Sequence, residues 1–435
     1  MEKHSPDGQS GLEELVKLPP QELAQRVVGL EKELIRWRGT HPNLRGVILA
    51  TNQVSDINPG SSGKDPRPSK LVYAGFDIGD LAEHSTFEET AHLIMYGRLP
   101  NQSELEDLSR KLSTSRDIPQ EVMNNIRITT ATGADPMYVL RTAVSMLQGF
   151  DQGYDPKDRR PENLLDTGIR ITSQIATIVA AYHRIKNGLE PVAPNKEHSH
   201  AKNFLYMVHG EEPSDENAAL MNKDFILHME HGANASSFTA RVITGTEADM
   251  YSSVVGAIAA LSGPRHGGAA EDIGRLMNDI IPLSELHNYN DEQIRQRVSE
   301  YIDLLWTNRG RVPGVGHALY RAIDARAPYL KAVVKERGDP KMFVILEAIE
   351  GKVESSRRAD HGIHTNVDFW TGVVYSSILN FPQDLAVPIF AAGRVPGWVR
   401  NAIDQKVLIR PDMLYNGLVG LDYATKRAAV GRPLR

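Results

Sequence analysis

Cysteine is absent from the 435-residue sequence. This absence excludes disulfide bonds, thiolate nucleophiles and zinc sites with cysteine ligands. The chain also lacks an excess of basic residues, because 49 lysines and arginines stand against 55 acidic residues and leave a net charge of -6. A broad basic face for nucleic acid is therefore not expected, and an anionic ligand would need locally placed arginines.

Long apolar runs are missing as well. No run reaches the length of about 18 apolar residues that a membrane-crossing helix needs, since charged and polar side chains interrupt even the segment 169–185. The N-terminal residues MEKHSPDGQSGLEEL lack the basic start and apolar centre of a signal peptide, and they are too acidic for a typical transit peptide. We therefore expect a soluble cytoplasmic protein, whose length suits roughly two or three folding units.

Helical periodicity dominates the sequence, and strand-like runs are confined to residues 45–57 and 70–76. Residues 20–37 predict an amphipathic helix, and a capping box from Ser85 to Glu88 predicts a helix that ends at Gly97. Strands do not alternate with helices, which argues against a doubly wound sheet. Further helices are predicted over residues 103–114, 119–132, 136–148, 164–186, 200–209, 214–231, 234–245, 248–262, 268–280, 291–308, 318–336, 340–352, 366–379 and 384–405.

The stretch 226–272 concentrates histidines near predicted helix ends. His228 and His231 are three residues apart in a predicted helix, so both would lie on one helical face. His266 stands in the turn Gly-Pro-Arg-His-Gly-Gly, just before a helix predicted from Gly268. The positive end of that helix disfavours an imidazolium, so the pattern predicts a neutral imidazole that donates a hydrogen bond to an oxyanion. A histidine that only caps the loop is the alternative.

Metal binding is the competing interpretation of the paired histidines. The spacing of His228 and His231 recurs in His361 and His364. Neither pair has the four-residue interval that places two imidazoles on zinc in the HExxH motif. We therefore expect no metal site.

Further motifs carry other candidate side chains. His317 ends the loop-like sequence Pro-Gly-Val-Gly-His. Such a loop could wrap around a bulky ligand and present the imidazole to it, or it could be a plain glycine-rich connection. Asp368 lies in Asn-Val-Asp-Phe-Trp, where apolar neighbours would raise the carboxyl pKa and strengthen the group as a base, although a helix-capping aspartate is equally familiar. Arg394 and Arg410 are candidates for binding carboxylates through paired hydrogen bonds.

In this order the motifs resemble those of the citrate synthase family over residues 73–415. The matching segments are GFDIGDLAEHSTFEE, LHMEH followed by NAS, GPRHGGAAE, PGVGHALYRAIDAR, NVDFWTG, IFAAGR and IRP. The resemblance implies a mainly α-helical, two-domain fold with a short N-terminal β element. It also implies an acyltransferase that condenses acetyl-CoA with oxaloacetate and water to give citrate and CoA, without a cofactor.

The resemblance implies a role for individual residues. Asp368 would abstract a methyl proton from acetyl-CoA, His266 would hydrogen-bond the thioester oxygen, and His317 would protonate the keto oxygen of oxaloacetate. The carboxylates of oxaloacetate would be held by His231, Arg326, Arg394 and Arg410. CoA would be held by Val312, Pro313, Gly314, Val315, Gly316 and Arg321. A homodimer is implied in which Arg410 reaches the neighbouring subunit's site, and no nucleic acid or membrane partner is expected.

The same resemblance predicts the domain organisation. Residues 1–40 would form an extension with the amphipathic helix, residues 41–267 and 380–435 a large helical domain, and residues 268–379 an inserted small domain. The open alternatives are a 2-methylcitrate synthase that uses propionyl-CoA, a catalytically silent regulatory relative, and a metal-dependent hydrolase. The retention of His266, His317 and Asp368 argues against a silent relative, and full activity in excess chelator would exclude a metal-dependent hydrolase.

Overall fold

A computed structural model describes residues 52, 54–63, 65–152, 154–267 and 269–410. The amphipathic helix predicted over 20–37, the strand-like residues 45–51 and the extension 1–40 lie outside these residues. The described residues from Val54 to Arg410 belong to one unit and are described as such. The division into a large domain and an inserted small domain stays a prediction.

The strand-like runs form a small antiparallel sheet. Strand β1 (Ser55–Asn58) pairs with β2 (Lys70–Tyr73), and β2 pairs with β3 (Phe76–Asp77). The prediction of one strand over 70–76 is wrong at Ala74 and Gly75, whose φ values of 46° and 96° reverse the chain between β2 and β3. Glycine adopts such a φ without steric cost, which favours a tight turn at this point.

Helices make up most of the described structure. Helices α1 to α8 are Ile78–His84, Phe87–Tyr96, Gln102–Thr114, Gln120–Ala131, Pro136–Leu147, Pro161–Lys186, His200–His209 and Asp215–His228. Helices α9 to α17 are Ala235–Gly245, Met250–Leu261, Ala269–Ile280, Asp291–Thr307, Ala327–Arg337, Pro340–Glu354, Arg357–Asp360, Val367–Val373 and Ala386–Asp404. Short 3-10 turns lie at Gln148–Phe150, Leu283–Asn288 and Gln383–Leu385, and a π-helix, Val374–Ile378, continues α16. The mainly α-helical fold is confirmed.

Three predicted helix ends are wrong in ways that matter for the site. The helix that contains His228 ends at that residue, so His231 lies in the following loop rather than on the same helical face. The helix predicted from residue 318 begins only at Ala327, which leaves residues 308–326 irregular. The N-terminal cap of α2 is Thr86, which accepts from the Glu89 N–H, instead of Ser85.

The core centres on α6 and α17, which pack directly on each other. A Cβ atom on Gly168 of α6 would lie 2.4 Å from a methyl group of Val399 in α17, so the contact requires glycine. Along α17, small residues and Trp398 are fully buried, and this helix also contacts α8 and α9. Among the described helices, none combines the length and apolar character that a membrane crossing would need.

Candidate active site

The loop between α12 and α13 fixes the protonation of His317. Its Nδ1 accepts hydrogen bonds from the backbone N–H groups of Leu319 (3.0 Å) and Tyr320 (3.1 Å). An imidazole nitrogen that accepts carries no proton, so the proton of the neutral ring resides on Nε2. Burial lowers the pKa of His317 to about 4, and the positive charge of Arg326 acts in the same direction. His317 is therefore a neutral hydrogen-bond donor near pH 7.

Short backbone pairing brings this loop to the start of α16. Val315 forms an antiparallel bridge with Thr365, and the Gly316 N–H donates to the His364 carbonyl at 2.8 Å. Asn366, the N-terminal cap of α16, donates its own N–H to the Gly314 carbonyl at 2.9 Å. The glycines that precede His317 are thus held against the turn that precedes Asp368.

Asp368 lies in the first turn of α16, where its backbone N–H donates to the Asn366 side chain at 3.0 Å. Its half-buried carboxyl group makes no hydrogen bond or ion pair with another described residue. Burial raises the pKa of this carboxyl above its ordinary value, against the opposing effects of His228 and Arg326. A carboxylate with a raised pKa and unoccupied oxygens is suited to accept a proton.

His231 packs against His317 although it lies outside α8. The two rings are 5.1 Å apart between centroids, and the Tyr320 hydroxyl shares a 3.0 Å hydrogen bond with Nε2 of His231. Burial, followed by the charge of Arg326, lowers the pKa of His231 well below its usual value. Both imidazoles therefore stay uncharged at neutral pH.

His266 is oriented by the N-terminus of α9. The Ser236 N–H, in the first turn of that helix, donates to Nε2 of His266 at 3.3 Å, and the Ser236 hydroxyl lies 3.0 Å from the same nitrogen. An accepting Nε2 leaves the proton on Nδ1. Burial, and then the charge of Arg394, lowers the pKa of His266 to about 4. The neutral state was predicted, but the amide that reaches the ring belongs to α9 rather than to the helix that follows His266.

Arg326 is held by the carboxylate of Asp324, which the motifs did not predict as a site residue. Its Nε and Nη2 donate to the two oxygens of Asp324 at 3.0 and 2.7 Å, and both side chains are buried. Asp324 also accepts from the Val367 N–H at 3.2 Å. Although burial acts against it, the charge of Asp324 raises the pKa of Arg326. The ion pair therefore fixes the guanidinium beside the first turn of α16.

Arg394 is a buried cation that forms no ion pair within the part of the chain that the structure describes. Its Nε donates to the His228 carbonyl and its guanidinium lies 4.6 Å above the Phe390 ring, while no carboxylate of a described residue lies within ion-pair distance. Burial lowers the pKa of Arg394 to about 10. The buried carboxyl of Glu230, whose pKa burial raises to about 7, is hydrogen-bonded to Ser55 and Asn401 instead. An unpaired buried guanidinium calls for an anionic ligand.

The remaining predicted residues lie at the edge of this arrangement. The guanidinium of Arg321 folds back on its own loop and donates to the carbonyls of His317 (3.2 Å) and Tyr320 (2.6 Å). Val312 and Gly314 are buried, whereas Pro313, Val315 and Gly316 are partly exposed. Arg410 ends the described chain as an exposed residue, and no hydrogen bond or ion pair joins it to another described residue. Its place in a neighbouring subunit's site stays a prediction.

His361 and His364, the second histidine pair, do not point to a common site. His361 is exposed, whereas the Nδ1 of His364 lies 2.9 Å from both carboxylate oxygens of Glu354. Over residues 52–410, wherever the chain is described, no three His, Asp or Glu side chains are placed to hold a metal ion.

Three site residues were not predicted from the sequence. Asp324, Tyr320 and Ser236 orient Arg326, His231 and His266 through the bonds given above. The role of Asp324 could have been predicted, because it lies two positions before Arg326 and an acidic residue so close to an arginine can form an ion pair with it. The roles of Ser236 and Tyr320 could not, since their contacts span 30 and 89 positions of sequence.

Together these groups suit one type of chemistry. The charges of the buried Arg326 and Arg394 guanidinium groups both lower the pKa of the Asp368 carboxyl. The neutral imidazole of His317 lies within the electrostatic influence of Arg326, and that of His266 within the influence of Arg394. Such a set can remove a proton next to a carbonyl, stabilise the resulting oxyanion, and bind a substrate that carries carboxylates.

Comparison with known proteins points to the same chemistry. A family model for the citrate synthase C-terminal domain matches residues 43–412. The chain is 37% identical to citrate synthase 2 of Bacillus subtilis over 381 residues, which are 86% of this chain and 95% of that protein. It is 33% identical to 2-methylcitrate synthase 2 of Corynebacterium glutamicum over 385 residues, 86% of this chain and 94% of that protein.

A solved structure extends the likeness to the whole fold. The citrate synthase of Thermoplasma acidophilum, in a ternary complex with carboxymethyl coenzyme A and oxaloacetate, superposes with a TM-score of 0.77 at 26% identity. The match covers 88% of this chain and 97% of that one.

Proposed function

Since this chain belongs to the citrate synthase family, we propose that it condenses acetyl-CoA with oxaloacetate and water to give citrate and free CoA. The enzyme is then an acyl-CoA:oxaloacetate C-acyltransferase. The proposal requires a base, an oxyanion donor, a donor to the keto oxygen and a site for carboxylates. Asp368, His266 and His317 are available for the first three, and Arg326, Arg394 and His231 for the last.

Enolisation is the first step. The Asp368 carboxylate takes a proton from the methyl carbon of acetyl-CoA, and the electron pair moves onto the thioester oxygen. The Nδ1–H of His266 donates to that oxygen as its negative charge develops. Because the ring is already neutral, it donates without first losing a proton, and the division of labour makes a weakly acidic carbon reactive.

Condensation follows at the keto carbon of oxaloacetate. The new carbon-carbon bond forms as the Nε2–H of His317 donates its proton to the keto oxygen, and the proton that Asp368 took from the methyl group then returns the His317 ring to its neutral state. The carboxylates of oxaloacetate lie against Arg326, Arg394 and His231, which place the keto carbon at the enol carbon. Arg410 of the neighbouring subunit adds a further cation in a homodimer. Water then hydrolyses the citryl-CoA thioester and releases CoA, and no metal or cofactor is needed.

The unpaired guanidinium of Arg394 is the observation that carries this proposal. The charge of Glu230 favours the charged form of Arg394 but does not prevent burial from lowering its pKa. A buried cation without a direct ion pair is unfavourable in the free enzyme, and a substrate with two carboxylates reduces that cost. The fixed protonation of His317 supports it, because two backbone N–H groups leave only Nε2 to face the cleft as a donor.

The decisive experiment measures CoA release from the purified protein with oxaloacetate and acetyl-CoA. We expect Asp368→Asn and His266→Ala to lower kcat at least about a hundredfold, the scale of a lost general base or oxyanion donor. Near-normal kcat in both variants would refute the roles assigned here, and no CoA release by the parent enzyme would refute the function.

A 2-methylcitrate synthase activity is the second candidate, because a protein of that name is among the relatives. An acyl pocket that accepts one extra methylene changes selectivity by only about 1–3 kcal/mol. The same assay with propionyl-CoA in place of acetyl-CoA decides between them through the ratio of the two kcat/KM values.

A further inference from the structure

Tyr320 contacts both imidazoles that act on oxaloacetate in the proposed reaction. Its backbone N–H donates to Nδ1 of His317 at 3.1 Å, and its hydroxyl oxygen lies 3.0 Å from Nε2 of His231. The centroid of the Tyr320 ring lies 4.6 Å from that of His317 and 5.2 Å from that of His231, and the two imidazole centroids are 5.1 Å apart. The three rings therefore form a closed triangle of direct contacts.

The direction of the hydrogen bond between Tyr320 and His231 follows from the hydroxyl proton. The Tyr320 side chain is buried, and burial raises the pKa of its hydroxyl above the ordinary value, so the hydroxyl keeps its proton. Within the described chain, Nε2 of His231 is the only hydrogen-bond partner of that hydroxyl. If the imidazole donated, the buried hydroxyl proton would be left without an acceptor there, which is costly. We therefore assign Tyr320 as the donor and Nε2 as the acceptor.

This assignment fixes the tautomer of His231. Burial holds the pKa of the ring well below its usual value, so the ring is neutral, and a neutral imidazole that accepts at Nε2 carries its proton on Nδ1. His317 has the opposite tautomer, because its Nδ1 accepts from two backbone N–H groups. Tyr320 takes part in both assignments, through its hydroxyl at His231 and through its backbone N–H at His317.

We propose that the Tyr320 hydroxyl determines the affinity for oxaloacetate: it donates to Nε2 of His231, keeps the proton of that ring on Nδ1, and so provides an N–H for a substrate carboxylate. Tyr320 is a positioning residue, because it acts through His231. The inference rests on the proposed function, in which His231 holds a carboxylate of oxaloacetate. With the proton on the other nitrogen, Nδ1 would offer a lone pair, which repels a carboxylate.

The first test is the steady-state kinetics of Tyr320→Phe, which removes the hydroxyl and keeps the ring. Without the donor at Nε2, both tautomers of His231 become populated. KM for oxaloacetate should rise about tenfold, near the lower end of the effect of a lost hydrogen bond to a charged group. The values of kcat and of KM for acetyl-CoA should stay close to those of the parent, because His317 keeps both of its backbone donors.

Tyr251→Phe is the matched control. Tyr251 is also a buried tyrosine in contact with an aromatic ring, that of Tyr154, and its hydroxyl donates to the Asp151 carboxylate at 2.7 Å. None of these three residues belongs to the candidate site. The control variant should lower the melting temperature without raising KM for oxaloacetate, so it separates the loss of a buried hydroxyl from the loss of this one.

The second test observes the tautomer directly and needs no activity. Long-range proton–nitrogen NMR spectra of enzyme labelled with ¹⁵N in its histidine rings show which ring nitrogen carries the proton. The signals of His231 are assigned by their loss in His231→Gln. We expect the proton on Nδ1 in the parent enzyme and a mixture of the two tautomers in Tyr320→Phe. The parent spectrum alone remains decisive if Tyr320→Phe does not fold.

Three outcomes would overturn the inference. The first is a proton on Nε2 of His231 in the parent enzyme, and the second is an unchanged KM for oxaloacetate in folded Tyr320→Phe. The third is an equal rise of that KM in Tyr251→Phe. A parent enzyme that releases no CoA would instead refute the proposed function, and the NMR spectra would still report the tautomer of His231.

Discussion

Replacement of Gly314 by alanine would insert a methyl group between the His317 loop and the helix that carries Asp368. Gly314 has a φ of +66°, and a Cβ atom on it would lie 2.7 Å from the Cα and Cβ atoms of Phe369 and 2.8 Å from its nitrogen. These are mostly backbone atoms one position beyond Asp368. They cannot move away as the end of a flexible side chain would.

The size of the effect follows from these distances. An ordinary contact begins at 3.4 Å, so the backbone at Phe369 must retreat by the difference from 2.7 Å, which is 0.7 Å. A misplacement of about 1 Å in a catalytic group costs about a hundredfold in rate. We therefore expect kcat of Gly314→Ala to fall about ten- to a hundredfold. The left-handed backbone strain should separately lower the free energy of unfolding by roughly 1–2 kcal/mol.

The measurement compares kcat for CoA release and the free energy of unfolding in urea with those of Gly133→Ala. Gly133 has a φ of +76° and no atom within 4 Å of a built Cβ, so this variant carries the strain without the contact. Equal kcat values for the two variants would refute the reasoning that Phe369 transmits the displacement to Asp368.

Three other outcomes can be checked with standard assays. Asp324→Asn leaves the buried Arg326 guanidinium without its counter-ion and should lower the free energy of unfolding in urea by about 3–5 kcal/mol; unchanged stability would contradict a buried ion pair. Burial lowers the pKa of His200 to about 3, so the unfolded chain binds this proton first. The contribution of the neutral, buried His200 to the free energy of unfolding is complete above about pH 6.5 and is lost as the pH falls toward 3. The variant His200→Leu should therefore show a smaller fall in melting temperature at acid pH. Finally, excess EDTA should leave CoA release unchanged, and a loss that zinc or magnesium restores would favour the metal-dependent alternative.

Helix positions were largely predictable from the sequence, because apolar spacing and caps are local signals. The bounds of α7, His200–His209, agree with the prediction, and α2 ends at Tyr96 with the predicted Gly97 as its C-terminal cap. Errors arose where distant contacts override local preference. Ala318 to Arg326 has helix-forming composition, yet its backbone binds Pro59 and Thr365, and its side chains form the Asp324–Arg326 ion pair.

The features of the candidate site also divide into those that depend on local sequence and those that depend on contacts between distant residues. The neutral state of His266 and the raised pKa of the Asp368 carboxyl could be predicted from their motifs. The groups that set the tautomers of the histidines could not, because His266 depends on an amide 30 positions away and His231 on a hydroxyl 89 positions away. Periodicity also misplaced His231, since an apolar pattern continues past the residue at which α8 ends.

The small sheet formed by β1 to β3 has a consequence for synthesis of the chain on the ribosome. The Ser69 hydroxyl donates to the carbonyl of Ile323, 254 positions later, and Pro59 accepts from the Arg321 N–H. At about 5–20 residues per second, translation separates these partners by roughly 10–50 s. Throughout that interval the nascent sheet lacks the segment that carries His317, so the candidate active site can form only when most of the polypeptide has emerged.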